Sequence, residues 1–332
     1  MQIFFSISRM RSYFYTLSAL ILAAVGVTLL AALCGGTGCF IPSGANEIFW
    51  QLRLPRALSA FAVGASLSLA GALMQLLLRN PLADPYVLGV SGGAAAGALG
   101  LTWFIPASLM TYGLHVGSLA GALLATALLF GLASPELISR SQRLSDAHPG
   151  LRLILTGVMI AAGSGALITL LLSLSDDTHL RGVLFWLMGD LDASELLWPV
   201  WLTLTLAVIW SLRNASALNV LAHGELTAFL VGVPTRQLRI MTLLVAAITT
   251  AAAVSVAGTI GFVGLVVPHA MRLLIGNDQR VLLPSSALVG GAALCLADLM
   301  ARSIVAPVQL PVGVITSLVG VPVFLFLLTR SR

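Results

Sequence analysis

About ten stretches of this chain, each roughly 20 residues long and nearly free of charge, are more than any soluble core can hold. They lie at about 13–34, 57–78, 86–105, 112–133, 151–174, 196–212, 240–257, 259–275, 281–301 and 311–329. At ~1.5 Å of rise per residue, a helix of about 20 residues crosses a ~30 Å hydrocarbon layer. The composition agrees: 58% of the 332 residues are apolar and 9% are charged, where a soluble domain carries about a quarter. The expected fold class is all-α, a polytopic protein of about ten transmembrane helices forming a single membrane domain over 1–332. The run from Ile240 to Gly276 is too long for one crossing and is divided at Ala257-Gly258, where glycine permits a turn. Arg9 and Arg11 precede the first apolar run. That run exceeds the ~7–15 residues of a signal-peptide core, and bulky Leu33 spoils the lipoprotein-like Ala31-Ala32-Leu33-Cys34, so a retained first span is expected.

Every one of the 17 basic residues is arginine. Without lysine the chain has no phosphate-binding loop ending in Gly-Lys-Ser/Thr and no Schiff-base lysine. Any ATP-driven work therefore needs an ATPase on another polypeptide. With the N-terminus cytoplasmic, Arg53, Arg56, Arg181 and Arg302 fall outside and the other thirteen of the 17 inside. That split follows the positive-inside rule and places both termini in the cytoplasm. It also accounts for the net charge of +5 without nucleic acid.

Small residues at helix-packing spacing (Gly89/Gly93/Gly97, Gly113/Gly117/Gly121 and Gly258/Gly261/Gly264) predict close helix contacts. The outer segment 35–56 holds Pro42, Ser43 and Glu47; 175–195, with Asp176, Asp177, His179, Asp190 and Asp192, reads as an acidic outer loop. Segment 134–150 reads as a polar inner loop. Between about 222 and 238, His223-Gly224-Glu225-Leu226 to Gly232-Val233-Pro234 has room for a short amphipathic helix bounded by glycines. Such a helix can seat in a partner's groove, or be a plain connector. Cys34, Cys39 and Cys295 have no metal-ligand spacing. A Cys34–Cys39 disulfide is open, but the apolar setting favours two unpaired thiols.

Three constellations could carry chemistry. Gly89-Val90-Ser91-Gly92 matches the Gly-x-Ser-Gly of intramembrane serine proteases, with His269 as a base on another span. A short pattern is also met by chance in a chain rich in glycine and serine, and His269 near Arg272 can simply reach the interface. Asp298 is the one carboxylate within an apolar span. It suits a proton-coupled secondary transporter, or an i,i+4 ion pair with Arg302. Arg53, Arg56 and Arg302 cluster on the arginine-poor side, where they invite an acidic partner through bidentate guanidinium–carboxylate contacts, or snorkel to lipid head groups.

Gln51-Leu52-Arg53-Leu54-Pro55-Arg56, Gly64-Ala65-Ser66-Leu67-Ser68-Leu69-Ala70-Gly71 and Asn80-Pro81-Leu82-Ala83-Asp84-Pro85 resemble the FecCD-type permeases. Gly261-Phe262-Val263-Gly264-Leu265-Val266-Val267-Pro268-His269, Ala297-Asp298-Leu299-Met300-Ala301-Arg302 and Leu310-Pro311-Val312-Gly313 extend the likeness over about 48–329. These are the membrane subunits of type II ABC importers for ferric siderophores, haem and cobalamin. The resemblance implies a single permease domain in the bacterial inner membrane. It also implies a second permease copy or a similar permease as dimer partner, two ATP-binding-cassette ATPase subunits and a periplasmic substrate-binding protein. It implies no enzyme activity, cofactor or metal in this chain. Carried over by position, Arg53, Arg56 and Arg302 look like docking arginines, and Gly224, Glu225, Leu226 and Gly232 like the ATPase-coupling helix. Asn80 and Leu82 look like a cytoplasmic gate, with a second element near Gly150 and Leu151. Ser91 and His269 become permease-motif residues. The cargo expected first is a ferric siderophore, with haem and cobalamin open.

Overall fold

The computed structural model describes residues 2–36, 38–39, 47–106, 109–138, 151–175, 177–191 and 197–330, with side chains described except at 2–12, 87, 110–111, 133–138, 151–152, 177–181 and 330. Helix α1 (Gln2–Leu33) leads into an antiparallel two-strand turn, β1 (Cys34–Gly35) and β2 (Gly38–Cys39). A π-helical turn, Ile48–Arg53, then runs into α2 (Leu54–Leu78), whose Pro55 sits in the first turn where its missing N–H does no harm. After a 3-10 turn, Pro85–Leu88, come α3 (Val90–Thr102), α4 (Met110–Ile138), α5 (Leu151–Ser173) and α6 (Asp177–Leu187). The chain continues through α7 (Trp198–Ala222), α8 (Glu225–Leu230), α9 (Thr235–Ala257), α10 (Val263–Ile275), α11 (Gln279–Ser303) and α12 (Val312–Arg330).

Each expected span contains a helix. Among the described residues eight are long and apolar enough to cross a bilayer. The other two, α3 and α10, have 13 residues each. At ~1.5 Å per residue each is about 20 Å long, short of a full crossing. The break expected at Ala257-Gly258 is present: Gly258 adopts φ 67, where a side chain would strike the backbone of Trp186. Three expectations need correction. Helix α7 continues past the expected end at Leu212 to Ala222, so Arg213 lies within it. The segment read as an acidic loop contains α6, too short to cross. Its C-terminal end ties other elements together, for Asp190 N donates to Ala257 O and Val312 N to Gly189 O, both at 3.0 Å. Finally, Cys34 and Cys39 are disulfide-bonded rather than free, because the glycine-rich turn pairs them across β1 and β2. Cys295 is a buried free thiol. Asp176, Asp192, Arg140, Arg143, Pro42 and Ser43, and the side chains of Arg9, Arg11, Arg152, Asp177, His179 and Arg181, lie outside the described residues.

Lipid tails are as apolar as leucine, so burial alone gives helices no reason to associate in a bilayer, and close packing must do so. Helix α2 sits at the centre, lined with alanine, serine and glycine, and contacts α1, α7, α9, α10 and α11. At Gly71 an added Cβ would fall 2.8 Å from Cα of Gly264 on α10; at Gly97 it would fall 2.7 Å from Cα of Gly121 on α4. The small-residue stripes thus mark contacts of α3 with α4 and of α2 with α10. Helices α1 and α5 are covered least.

Candidate functional site

The side chains that the sequence singled out for docking, coupling and gating gather at the two ends of α11. This 25-residue rod is about 37 Å long at ~1.5 Å per residue. At its C-terminal end, Asp298 is fully buried. Its Oδ1 accepts from Arg56 Nε at 2.9 Å, and its Oδ2 lies 2.9 Å from Arg302 Nε. The Arg302 contact is an ion pair off the hydrogen-bonding angle rather than an aligned bond. Arg56 Nη1 donates to Gln309 Oε1 at 2.9 Å. Arg302 Nη2 donates to Ala31 O at 3.0 Å and Nη1 to Cys34 O at 3.5 Å; Arg53 Nη1 donates to Leu33 O at 2.9 Å and Gly38 O at 3.4 Å. All three arginines line one cavity of about 1230 Å³, together with Trp198, Pro307 and Gly36. The structure therefore brings the three sequence-picked arginines together. It also shows that Arg53 and Arg302, each 8% exposed, hold the chain's own carbonyls.

The opposite end of the bundle holds α8. Gly224 (φ 136) and Gly232 (φ 85) make the turns that bound it, conformations a side chain would resist. Ala228 is buried, while Leu226, Phe229, Leu230 and Val231 are 58–74% exposed. Both Glu225 carboxylate oxygens accept from Arg239 Nη1 on α9 at 2.9 Å, fixing α8 to a long helix. Nearby, Asn219 on α7 accepts from Gln279 N and donates to Asp278, both at 2.8 Å, while Asp278 caps α11 through Arg280 N at 3.0 Å. Asn80 and exposed Leu82 lie just beyond the end of α2, also at this end, where Leu82 N donates to Asn80 Oδ1 at 2.9 Å. Gly150 and the Leu151 side chain lie outside the described residues.

The connector that carries Asn80 was read only as a gate, yet it is anchored inward. Tyr86 Oη accepts from Ile260 N at 2.6 Å, and Asp84 Oδ1 accepts from Tyr86 N at 2.9 Å. Burial pushes the Asp84 carboxyl up to about 6. Neither Tyr86 nor Arg239 stood out in the sequence, since each acts through a distant partner. The proteolytic reading fails on geometry. Both ring nitrogens of His269 are buried without a hydrogen-bond partner, so no Ser91–His269 pair forms. The proton-carrier reading fares no better, with Asp298 held between two guanidinium groups.

Comparison with known proteins shows the family and the fold. The pattern described as the FecCD transport family matches residues 13–330. The hemin transport system permease protein HmuU of Yersinia pestis is 40% identical over 96% of this chain and 95% of its own length. The vitamin B12 import system permease protein BtuC of Escherichia coli is 38% identical over 95% of this chain and 94% of its own. An ABC transporter of metal-chelate type, solved in an inward-facing conformation, superposes with a TM-score of 0.83 at 30% identity. It covers 95% of this chain and 99% of that one.

Proposed function

The chain belongs to the FecCD transport family, and on that premise we propose that two copies of it form the translocation path of a metal-chelate importer. It is a permease subunit of an ABC importer, a transport component rather than an enzyme. In the proposed assembly two ATPase subunits seat on α8, and a substrate-binding protein docks over the arginine-lined cavity. ATP binding draws the ATPases together, α8 follows as a rigid body through the Glu225–Arg239 clamp, and the bundle rocks about α2. Asn80 and Leu82, at the α8 end, close the path on that side. The disulfide at the arginine end supports an orientation with that end outside, since disulfides persist on the oxidising face. Both termini then lie in the cytoplasm, in the inner membrane of a bacterium.

Cargo within the metal-chelate class is proposed from the relatives. HmuU and BtuC are named for hemin and vitamin B12, so metal tetrapyrroles are the first to test and ferric siderophores the next. The observation that carries the proposal is the exposed apolar row of α8, held by the Glu225–Arg239 ion pair, one guanidinium nitrogen shared by both carboxylate oxygens, at the end opposite the arginines. An affinity tag on this chain should retain an ATP-binding-cassette ATPase coexpressed with it. Phe229→Asp should lower the retained ATPase by about tenfold, as loss of an apolar anchor does. If the ATPase never copurifies, or if Phe229→Asp leaves it bound, the α8 assignment is wrong.

A further inference from the structure

The turn closed by Cys34 and Cys39 lies on the same cavity as the arginines, and its seating there is built from several independent contacts. Four backbone carbonyls at or beside it, Ala31, Leu33, Cys34 and Gly38, accept from Arg53 or Arg302. Its glycines let it lie flat. An added Cβ at Gly35 would come 3.2 Å from Arg302 Nη1 and 3.5 Å from Arg53 Cζ; at Gly36 it would come 2.7 Å from the Arg302 carbonyl oxygen. A short segment with glycines at 35, 36 and 38 has much conformational freedom to lose when ordered, and the cross-link removes most of it beforehand.

We propose that this disulfide-closed turn is a working part of the docking surface, a redox-dependent contact for a soluble partner that presents carboxylates. The proposal rests on the docking reading above and goes beyond it. With the cross-link in place, the turn forms one wall of the cavity and fixes the directions of Arg53 and Arg302. Through Asp298, Arg302 is joined to Arg56, so the turn and all three arginines make one connected surface. Guanidinium groups held in fixed directions meet carboxylates with less ordering to pay at the moment of contact. Once a dithiol reduces the disulfide by exchange, giving up two electrons to become a disulfide itself and leaving Cys34 and Cys39 as thiols, the turn leaves the arginines, their carbonyl acceptors go with it, and the surface loses both a wall and its arrangement. Cys295 is buried in the bundle and takes no part.

The test uses the full chain in lipid nanodiscs with its ATPase partners, and reads the affinity of its substrate-binding protein. One sample is reduced, alkylated and cleared of reagent before the binding protein is added; a second carries Cys34→Ser with Cys39→Ser. Both should bind about tenfold more weakly than the oxidised chain, a loss typical of a disordered contact region. Basal ATP hydrolysis should be unchanged, because the turn lies at the end of the bundle opposite α8, although the thermal midpoint falls with the lost cross-link. Affinity within about twofold of the oxidised chain in both samples overturns the proposal. So does a matching fall in basal hydrolysis, which would make the disulfide a general brace. Arg56→Ala separates the two levels: if it weakens binding while reduction does not, only the role of the turn fails. If Arg56→Ala also leaves binding intact, the docking reading itself fails.

Discussion

Asp298 is completely buried and meets two guanidinium groups, Nε of Arg56 and Nε of Arg302, each at 2.9 Å. Breaking a buried charge cluster by removing one member leaves the others uncompensated, at a cost of about 3–5 kcal/mol. Asp298→Asn should therefore lower the thermal midpoint in detergent sharply, and adding Arg302→Met should restore part of the loss. A proton-relay carboxylate would behave otherwise, with the midpoint nearly unchanged and transport abolished. The pair with Arg302 was legible in the sequence from its i,i+4 spacing. The pair with Arg56 was not, because the two residues are 242 positions apart and only the packing of α2 on α11 joins them. Asp84 carries a second prediction. Its carboxyl is raised from 3.8 to about 6 by burial, so the folded chain binds that proton more tightly than the unfolded chain does. The stability this lends is full below about pH 4 and is lost as pH rises through about 6. Above that, keeping the carboxylate ionised costs about 3 kcal/mol. Asp84→Asn, which keeps an acceptor for Tyr86 N, should raise the thermal midpoint at pH 7.5, and the gain should shrink between about pH 6 and 4. An equal gain at every pH would show that burial of the charge is not the cause.

Among the elements, α8 was the most informative one in the sequence. Two glycines and an apolar row predicted a short helix, and the structure has it at Glu225–Leu230. Its clamp was not visible, since Arg239 reaches back across the following loop to Glu225. The pair is partly exposed, so it contributes little stability, about 0–1 kcal/mol. Its role in the proposed assembly is to transmit movement. Glu225→Ala should leave the thermal midpoint nearly unchanged and ATP hydrolysis running, while ATP-driven uptake falls by about tenfold. A proportional fall in hydrolysis and uptake would instead mean that α8 merely binds the ATPase. Helix α6 was missed because hydropathy windows of about 20 residues do not see an 11-residue helix. The disulfide was missed for a related reason. Composition gave its cysteines an apolar setting, whereas the deciding feature was backbone reversal at Gly35, Gly36 and Gly38.

At the scale of the molecule, α11 joins two chemically different ends. One is tied to α7 through Asn219 near the exposed apolar helix, and the other to α2 through Asp298 at the arginine-lined cavity. The apolar blocks revealed the spans, because they follow from the bilayer as solvent, and the arginine count supplies the orientation proposed above. Which helices would touch was legible only where glycine stripes marked close approach, as for α3 with α4. The measurement that tests the central claim most directly is chelate uptake by proteoliposomes holding this chain, its ATPase and its binding protein. Hemin or cyanocobalamin should accumulate when ATP is supplied and not when the ATPase is omitted. Accumulation that ignores ATP and follows a proton gradient would contradict the importer assignment. So would the absence of ATP-driven uptake for hemin, cobalamin and ferric siderophores alike.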